Sequence, residues 1–236
     1  KRVSLDDRVC CGLQSLCVFS LYFVCFYIAV RYINSGLESV IFSMAVFFNA
    51  LNSWLFFKQK PSPRFAPAAC IGLLGMVLLF WHELDFGAWH VGQLTGMALA
   101  ALGTFGFSLG NMLSVRHQKH GLDVFTTNAY AMLYGTLVLA MLAALFDVSL
   151  VMPMQAGFVW PLLYLAVFGS VIGFTAYFTL VKRLGAAQSA YTTLLFPLVA
   201  LSISTVWEGY QWSVAAVVGM VLILAGNFLM FYKPKA

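Results

Sequence analysis

Residues 185–232, GAAQSAYTTLLFPLVALSISTVWEGYQWSVAAVVGMVLILAGNFLMFY, decide how the rest of the chain is read. They hold two apolar runs, about 187–207 and 213–232, each close to the roughly 20 residues that cross the hydrocarbon core of a bilayer. Glu208, Gly209, Tyr210 and Gln211 separate the runs, with Trp207 and Trp212 on either side. Indoles favour the membrane interface, where the ring is buried and the N–H stays wet. The stretch therefore reads as a transmembrane hairpin with its turn at a membrane surface. A degenerate copy occupies residues 35–80. Gly36 and Gly185 are 149 apart and Gly75 and Gly226 are 151 apart, so the offset hardly slips over the whole unit, which is the mark of an internal repeat.

Composition leads to the same class. With 62% hydrophobic and 9% charged residues, the chain has too little polar surface for a soluble globule. The net charge of +5 does not signal nucleic-acid binding, because the basic residues are spread in twos and threes between apolar runs and form no patch. Cys10, Cys11, Cys17, Cys25 and Cys70 lie in or beside apolar runs without ligand-like neighbours in sequence, so helix packing is expected of them and no metal site. No cofactor motif is present, and none is expected to be bound.

The apolar runs fall at about 11–30, 36–57, 66–81, 93–115, 122–146, 158–181, 187–207 and 213–232, giving eight expected spans in an all-α polytopic membrane protein. Twelve of the thirteen lysines and arginines sort to one side and only Arg31 to the other. Short loops rich in these residues stay cytoplasmic, so both ends of the chain are expected in the cytoplasm. A bacterial inner membrane is the expected location. The first span and its counterpart at 158–181 are five spans apart, and an odd separation makes the two copies inverted. Inverted repeats are a common architecture of secondary transporters. The division expected is residues 1–92 for a first repeat of three spans and 93–236 for a complete second repeat of five. On this reading the first repeat lacks two helices that would precede Lys1.

These residues resemble the drug/metabolite transporter superfamily of EamA type. The resemblance rests on Gly185-Ala186-Ala187, Phe196-Pro197-Leu198-Val199-Ala200, Trp207-Glu208-Gly209 and the run from Gly219 to Gly226, with a first-half copy in Tyr32-Ile33-Asn34-Ser35-Gly36-Leu37, Ser39-Val40-Ile41 and Leu55-Phe56-Phe57. Two departures stand out. Ala45-Val46 replace the usual first-half proline, and Gln59 replaces the usual loop glutamate, so the helix of the first half is expected to be the less broken one. The resemblance implies two inverted five-helix repeats and transport of small metabolites, and it leaves the substrate open.

Polar side chains deep in a span are costly in lipid and turn toward protein, water or substrate. The candidates are Asn49 and Asn52 in the second span, Ser108 and Asn111 in the fourth, Thr175 and Tyr177 in the sixth, and Tyr191, Thr192 and Thr193 in the seventh. Hydrogen bonds between helices are the ordinary use of such groups. Asn49 and Tyr191 are preferred as lining groups because they lie in corresponding helices of the two repeats. They would sit on a cavity between the second and seventh spans, with walls otherwise aromatic and aliphatic, suited to a neutral or zwitterionic metabolite. Glu38, one turn inside the second span, is the acid placed to carry a proton. Pro197 removes a backbone donor mid-helix and kinks the span or frees a carbonyl.

Gly92, Gly96, Gly103 and Gly110 share one face of the fourth span, where another helix can approach closely. Gly106-Phe107-Ser108-Leu109-Gly110 matches the hydrolase nucleophile pattern, yet that motif needs a strand, a sharp turn and a histidine in reach. Here the serine lies inside a helix and His82, His90, His117 and His120 fall in or at loops. An enzyme is therefore not expected. The expected function is a secondary-type exporter of small organic metabolites working by alternating access in a lipid bilayer. The competing class is a non-transporting scaffold subunit or a facilitative pore. Assembly as a homodimer is left open.

Overall fold

The computed structural model describes residues 4–33, 35–60, 63–79, 81, 91–148, 154–207 and 212–231. Eight helical spans follow one another among them: α1 (Leu5–Ala29), α2 (35–57), α3 (Phe65–Leu79), α4 (Val91–Lys119), α5 (Val124–Leu145), α6 (Ala156–Leu184), α7 (186–207) and α8 (Val214–Phe231). The protein is an all-helical polytopic membrane protein. Of the spans, α1, α2, α4, α5 and α6 are long and apolar enough to cross a bilayer, while α3 and α8 hold shorter apolar stretches, Phe65–Gly75 and Val214–Gly226. Their outward residues are large and apolar, among them Trp160, Tyr164 and Phe168 of α6. Such surface is a liability in water but is matched by acyl chains.

Local chemistry sets several helix ends. Ser4 caps α1 and forms a reciprocal capping box with Asp7, and the Asp123 carboxylate accepts from the Thr126 N–H at the start of α5. Gly121 (φ +74°) and Gly185 (φ +87°) take the left-handed backbone that reverses the chain after α4 and α6. One end of the bundle collects basic side chains. There Arg116 reaches Asp7 at 3.3 Å, the Lys119 ammonium stands 3.9 Å from the Phe57 ring centroid, and Gln118 donates to the Phe178 carbonyl. The start of α1 and the ends of α2, α4 and α6 thus share this basic end.

Glycines let two helix pairs close up. A Cβ on Gly103 would stand 2.7 Å from Phe26, and one on Gly96 would stand 2.9 Å from Tyr32. Gly110 likewise abuts Val18. The glycine face of α4 is therefore filled by α1, running antiparallel, as the spacing of those glycines predicts. The other pair is α3 with α8, where contact is backbone to backbone. A Cβ on Gly75 would meet the Gly219 carbonyl at 2.6 Å and the Ile223 nitrogen at 2.8 Å; one on Gly226 would meet the Ala68 carbonyl at 2.8 Å and the Gly72 nitrogen at 3.2 Å. Each contact maps onto the other when residues are moved by 151 positions, the offset between Gly75 and Gly226. Because 68 pairs with 226 and 75 with 219, the two helices run antiparallel.

Breaks in the helices fall at matching places too. α1 contains a π-helical segment at Ser15–Ser20, and α6 contains one at Leu165–Gly173. α7 passes through a 3-10 segment at Ala190–Leu195, and α2 is interrupted at Met44 between Ser35–Ser43 and Ala45–Phe57. The interruption in α2 is one residue against six in α7.

Candidate functional site

Two layers of side chains meet in the middle of the bundle. The first is a buried polar network joining α2, α4 and α6. The Asn111 amide donates to the Asn49 carbonyl oxygen and to the Tyr177 hydroxyl, both at 3.0 Å. One turn away Asn52 donates to the Ser108 hydroxyl at 2.9 Å. Asn49, Ser108 and Asn111 are wholly buried. Helical spacing explains the arrangement: Asn49 and Asn52 share a face of α2, and Ser108 and Asn111 share a face of α4. In an apolar interior each amide is held only if its partners converge. The Asn49 amide nitrogen and the Asn111 carbonyl oxygen are buried and have no hydrogen-bond partner among the described residues.

The second layer is a cavity of about 350 Å³ beside this network. Its wall is aromatic: Tyr22 of α1, Phe42 of α2, Phe107 of α4, Phe174 and Tyr177 of α6, and Phe196 of α7. The rings form one continuous surface, with centroids 5.6 Å apart for Tyr22 and Phe107, 5.1 Å for Phe42 and Phe107, and 5.3 Å for Phe107 and Tyr177. Phe42 and Phe196 stack nearly parallel across α2 and α7. Leu165, Gly169, Ser170 and Gly173, all in the π-helical segment of α6, complete one side. A π turn widens the helix and displaces its side chains, which is why such turns gather at functional sites. Tyr177 joins the two layers, its ring on the cavity and its hydroxyl on Asn111.

The residues singled out in the sequence distribute as follows. Asn49, Asn52, Ser108, Asn111 and Tyr177 converge in the network, and of these Tyr177 alone lines the cavity. Thr193 also lines it, while its hydroxyl donates to the Ala190 carbonyl. The Thr192 hydroxyl is taken by the Ser189 carbonyl. Thr175 faces the other way, into an open groove with Phe125 and Arg183. Tyr191 and Pro197 belong to the 3-10 segment and to the helix that follows it, but their side chains lie outside the described residues, and so does Glu208. Glu38 stands four residues before Phe42 in the same helix and keeps one buried carboxylate oxygen without a hydrogen bond.

The aromatic wall went unnamed residue by residue in the sequence, because 22 phenylalanines offer many equivalent choices and only packing selects among them. A partial signal existed in Tyr22/Phe26 and Phe23/Tyr27, ring pairs at the i, i+4 spacing that stacks side chains on one helix face. Buried Gln14, Ser15 and Asn128 were also unforeseen.

Comparison with known proteins identifies the fold and the class. The EamA-like transporter family model matches residues 5–81 and 94–232. The chain belongs to this family. It is 25% identical over 201 residues to Protein PagO of Salmonella typhimurium, covering 84% of this chain and 64% of that protein. It is 24% identical over 217 residues to the uncharacterized transporter YdfC of Bacillus subtilis, covering 91% of this chain and 68% of the relative, and 21% identical to YoaV of the same organism over 97% and 78%. The chain thus spans less than two thirds of the length of PagO. A solved crystal structure superposes with a TM-score of 0.75 at 17% identity, over 98% of this chain and 77% of the other, which shows the shared fold. Family and fold thus agree on a multi-helix membrane protein of the EamA-like transporter family.

Proposed function

We propose that the chain carries small organic molecules by alternating access, as an exporter, with the aromatic cavity as its substrate site. The observation that carries this reading is the cavity of about 350 Å³, bordered by helices that are broken at repeat-related places. The π segments of α1 and α6 begin 150 residues apart, and the same offset carries Met44, at the interruption of α2, into the 3-10 segment Ala190–Leu195 of α7. Discontinuous helices around a central site are what an inverted-repeat carrier uses to open first to one side and then to the other. The reciprocal, antiparallel contact of α3 and α8 supports repeats of residues 1–92 and 93–236 related by an axis in the membrane plane. The reading places the chain in a bacterial inner membrane with the basic end in the cytoplasm. Glu38 is the candidate proton carrier in it, Pro197 a helix kink, and Tyr191 and Thr192 belong to the moving wall with Tyr177, Asn49, Ser108 and Asn111 behind it.

The test is flux. Small metabolites that raise the thermal midpoint of the purified chain identify ligands, and those ligands are then followed in proteoliposomes. Saturating flux with counterflow is expected, together with uptake into inside-out vesicles. Flux that rises linearly with concentration and lacks counterflow fits a facilitative pore, and ligand binding without flux fits a scaffold subunit.

A further inference from the structure

A second set of polar side chains lies between α1, α4 and α5, on another face of α4 from the network behind the cavity. The Cys11 sulfur stands 3.8 Å from His117 Nε2, which fixes the level at which α1 and α4 meet. Gln14 and Ser15 follow Cys11 by one turn, toward the middle of the bundle. α5 closes the third side. There an added Cβ on Gly135 would stand 2.7 Å from the Phe19 Cβ, and the Ser20 hydroxyl donates to the Gly135 carbonyl at 3.4 Å. α1 and α5 both run antiparallel to α4, so they are parallel to each other. Seven residues back from the contact of Phe19 with Gly135, Asn128 comes level with Gly12, between Cys11 and Ser15.

Cys11, Gln14, Ser15, His117 and Asn128 are all buried. Both side-chain amide atoms of Gln14, both of Asn128, the Ser15 hydroxyl and His117 Nδ1 have no hydrogen-bond partner among the described residues, an outcome rare in folded proteins. Ser15 is the plainest case, since the buried hydroxyls of Thr104 and Thr193 donate to carbonyls of their own helices. There is room at this level. An added Cβ on Gly12 meets nothing within 4 Å, and the π segment that widens α1 begins at Ser15.

The chemistry of these atoms narrows what fits among them. Among the described residues no third histidine, cysteine or carboxylate joins Cys11 and His117 to hold a metal ion. An anion meets neither nearby guanidinium, because Arg116 is turned to Asp7 and Arg8 to the Tyr130 ring. A bare cation would face the N–H groups of the two amides as well as their oxygens. Water both donates and accepts, and a buried water is held by about three polar partners. We propose that these five side chains enclose a water-binding site that bridges α1 to α4 and α5. The site is separate from the aromatic cavity and does not depend on the carrier reading.

The test uses the purified full chain in detergent. Short X-ray pulses make hydroxyl radicals from bound water in place, and these oxidise the side chains that touch it. Cys11 is expected to be oxidised several times faster than Cys25, which is also buried on α1. Gln14→Leu and Asn128→Leu are then compared by thermal midpoint. With water between the amides, each substitution strands the water's other partners and should lower the midpoint by about 2–4 °C. The double variant should lose clearly less than the sum of the two. Dry amides give the opposite sign, since leucine removes unpaired dipoles from an apolar interior and raises the midpoint. Cys11 oxidised no faster than Cys25, a midpoint that rises in either single variant, or losses that merely add overturns the proposal. The oxidation is read on the unsubstituted chain, so it decides the matter even where a variant fails to fold.

Discussion

Asn111 is the residue on which the buried network turns, since its amide serves both Asn49 and Tyr177. Removing the Tyr177 hydroxyl deletes one bond and leaves Asn111 with the other, whereas removing Asn111 strands two buried partners at once. A lost hydrogen bond costs about 0.5–1.5 kcal/mol, and a stranded buried group about 1–3 kcal/mol, values that run toward the low end between membrane helices. Asn111→Ala should therefore lower the denaturation midpoint clearly more than Tyr177→Phe, measured by thermal unfolding in one detergent. Equal losses would mean that the network is open to water and that neither partner depends on Asn111. Tyr177→Phe has a second expected effect, because the hydroxyl fixes a ring that faces the cavity: ligand affinity should fall while stability changes little.

At the scale of the element, the spans are held less by apolar burial, which lipid supplies equally well, than by close approach at small residues. Gly75 and Gly12 make the comparison. A Cβ at Gly75 would stand 2.6 Å from the Gly219 carbonyl, while one at Gly12 meets nothing within 4 Å. Backbone cannot rotate away as a side chain can, so Gly75→Ala must push α3 from α8 and should cost roughly 1–3 kcal/mol. Gly12→Ala should be neutral or stabilising by up to about 1 kcal/mol, since alanine is the better helix former. Thermal midpoints of the two variants decide it, and a neutral Gly75→Ala would remove the tight α3/α8 crossing. The π segments of α1 and α6 belong to this scale as well. The segment of α6 carries its own signals, since Pro161 stands one turn before it and Gly169-Ser170 and Gly173 lie within it, whereas that of α1 lies among partly buried and buried residues such as Val18 and Phe19.

For the whole molecule the decisive quantity is orientation. If the repeats are inverted, Gln59 and Glu208, at the turns of the two related hairpins, face opposite sides of the membrane. Cysteine placed at each position in a background without the five native cysteines should be labelled by an impermeant reagent from outside at 208 and not at 59. Equal labelling from outside would remove the inverted repeat and, with it, the alternating-access mechanism. Much of this scale was legible in the chain itself. Eight apolar runs bounded by turn residues, a copy displaced by about 150 positions, and basic residues confined to alternate loops depend only on hydrophobicity and charge along the sequence, which a bilayer reads one span at a time. The glycine face of α4 was legible for the same reason, since helical periodicity turns spacing directly into a surface. Proximity between spans was not legible. That Asn111 meets Tyr177, and that Phe42 and Phe107 form a wall while Phe56 and Phe168 face outward, are outcomes of how helices rotate about their own axes and cross one another. Those angles are set by side-chain packing between segments distant in sequence, so the class of the protein lay in its pattern, whereas the shape of its cavity existed only once the helices were packed.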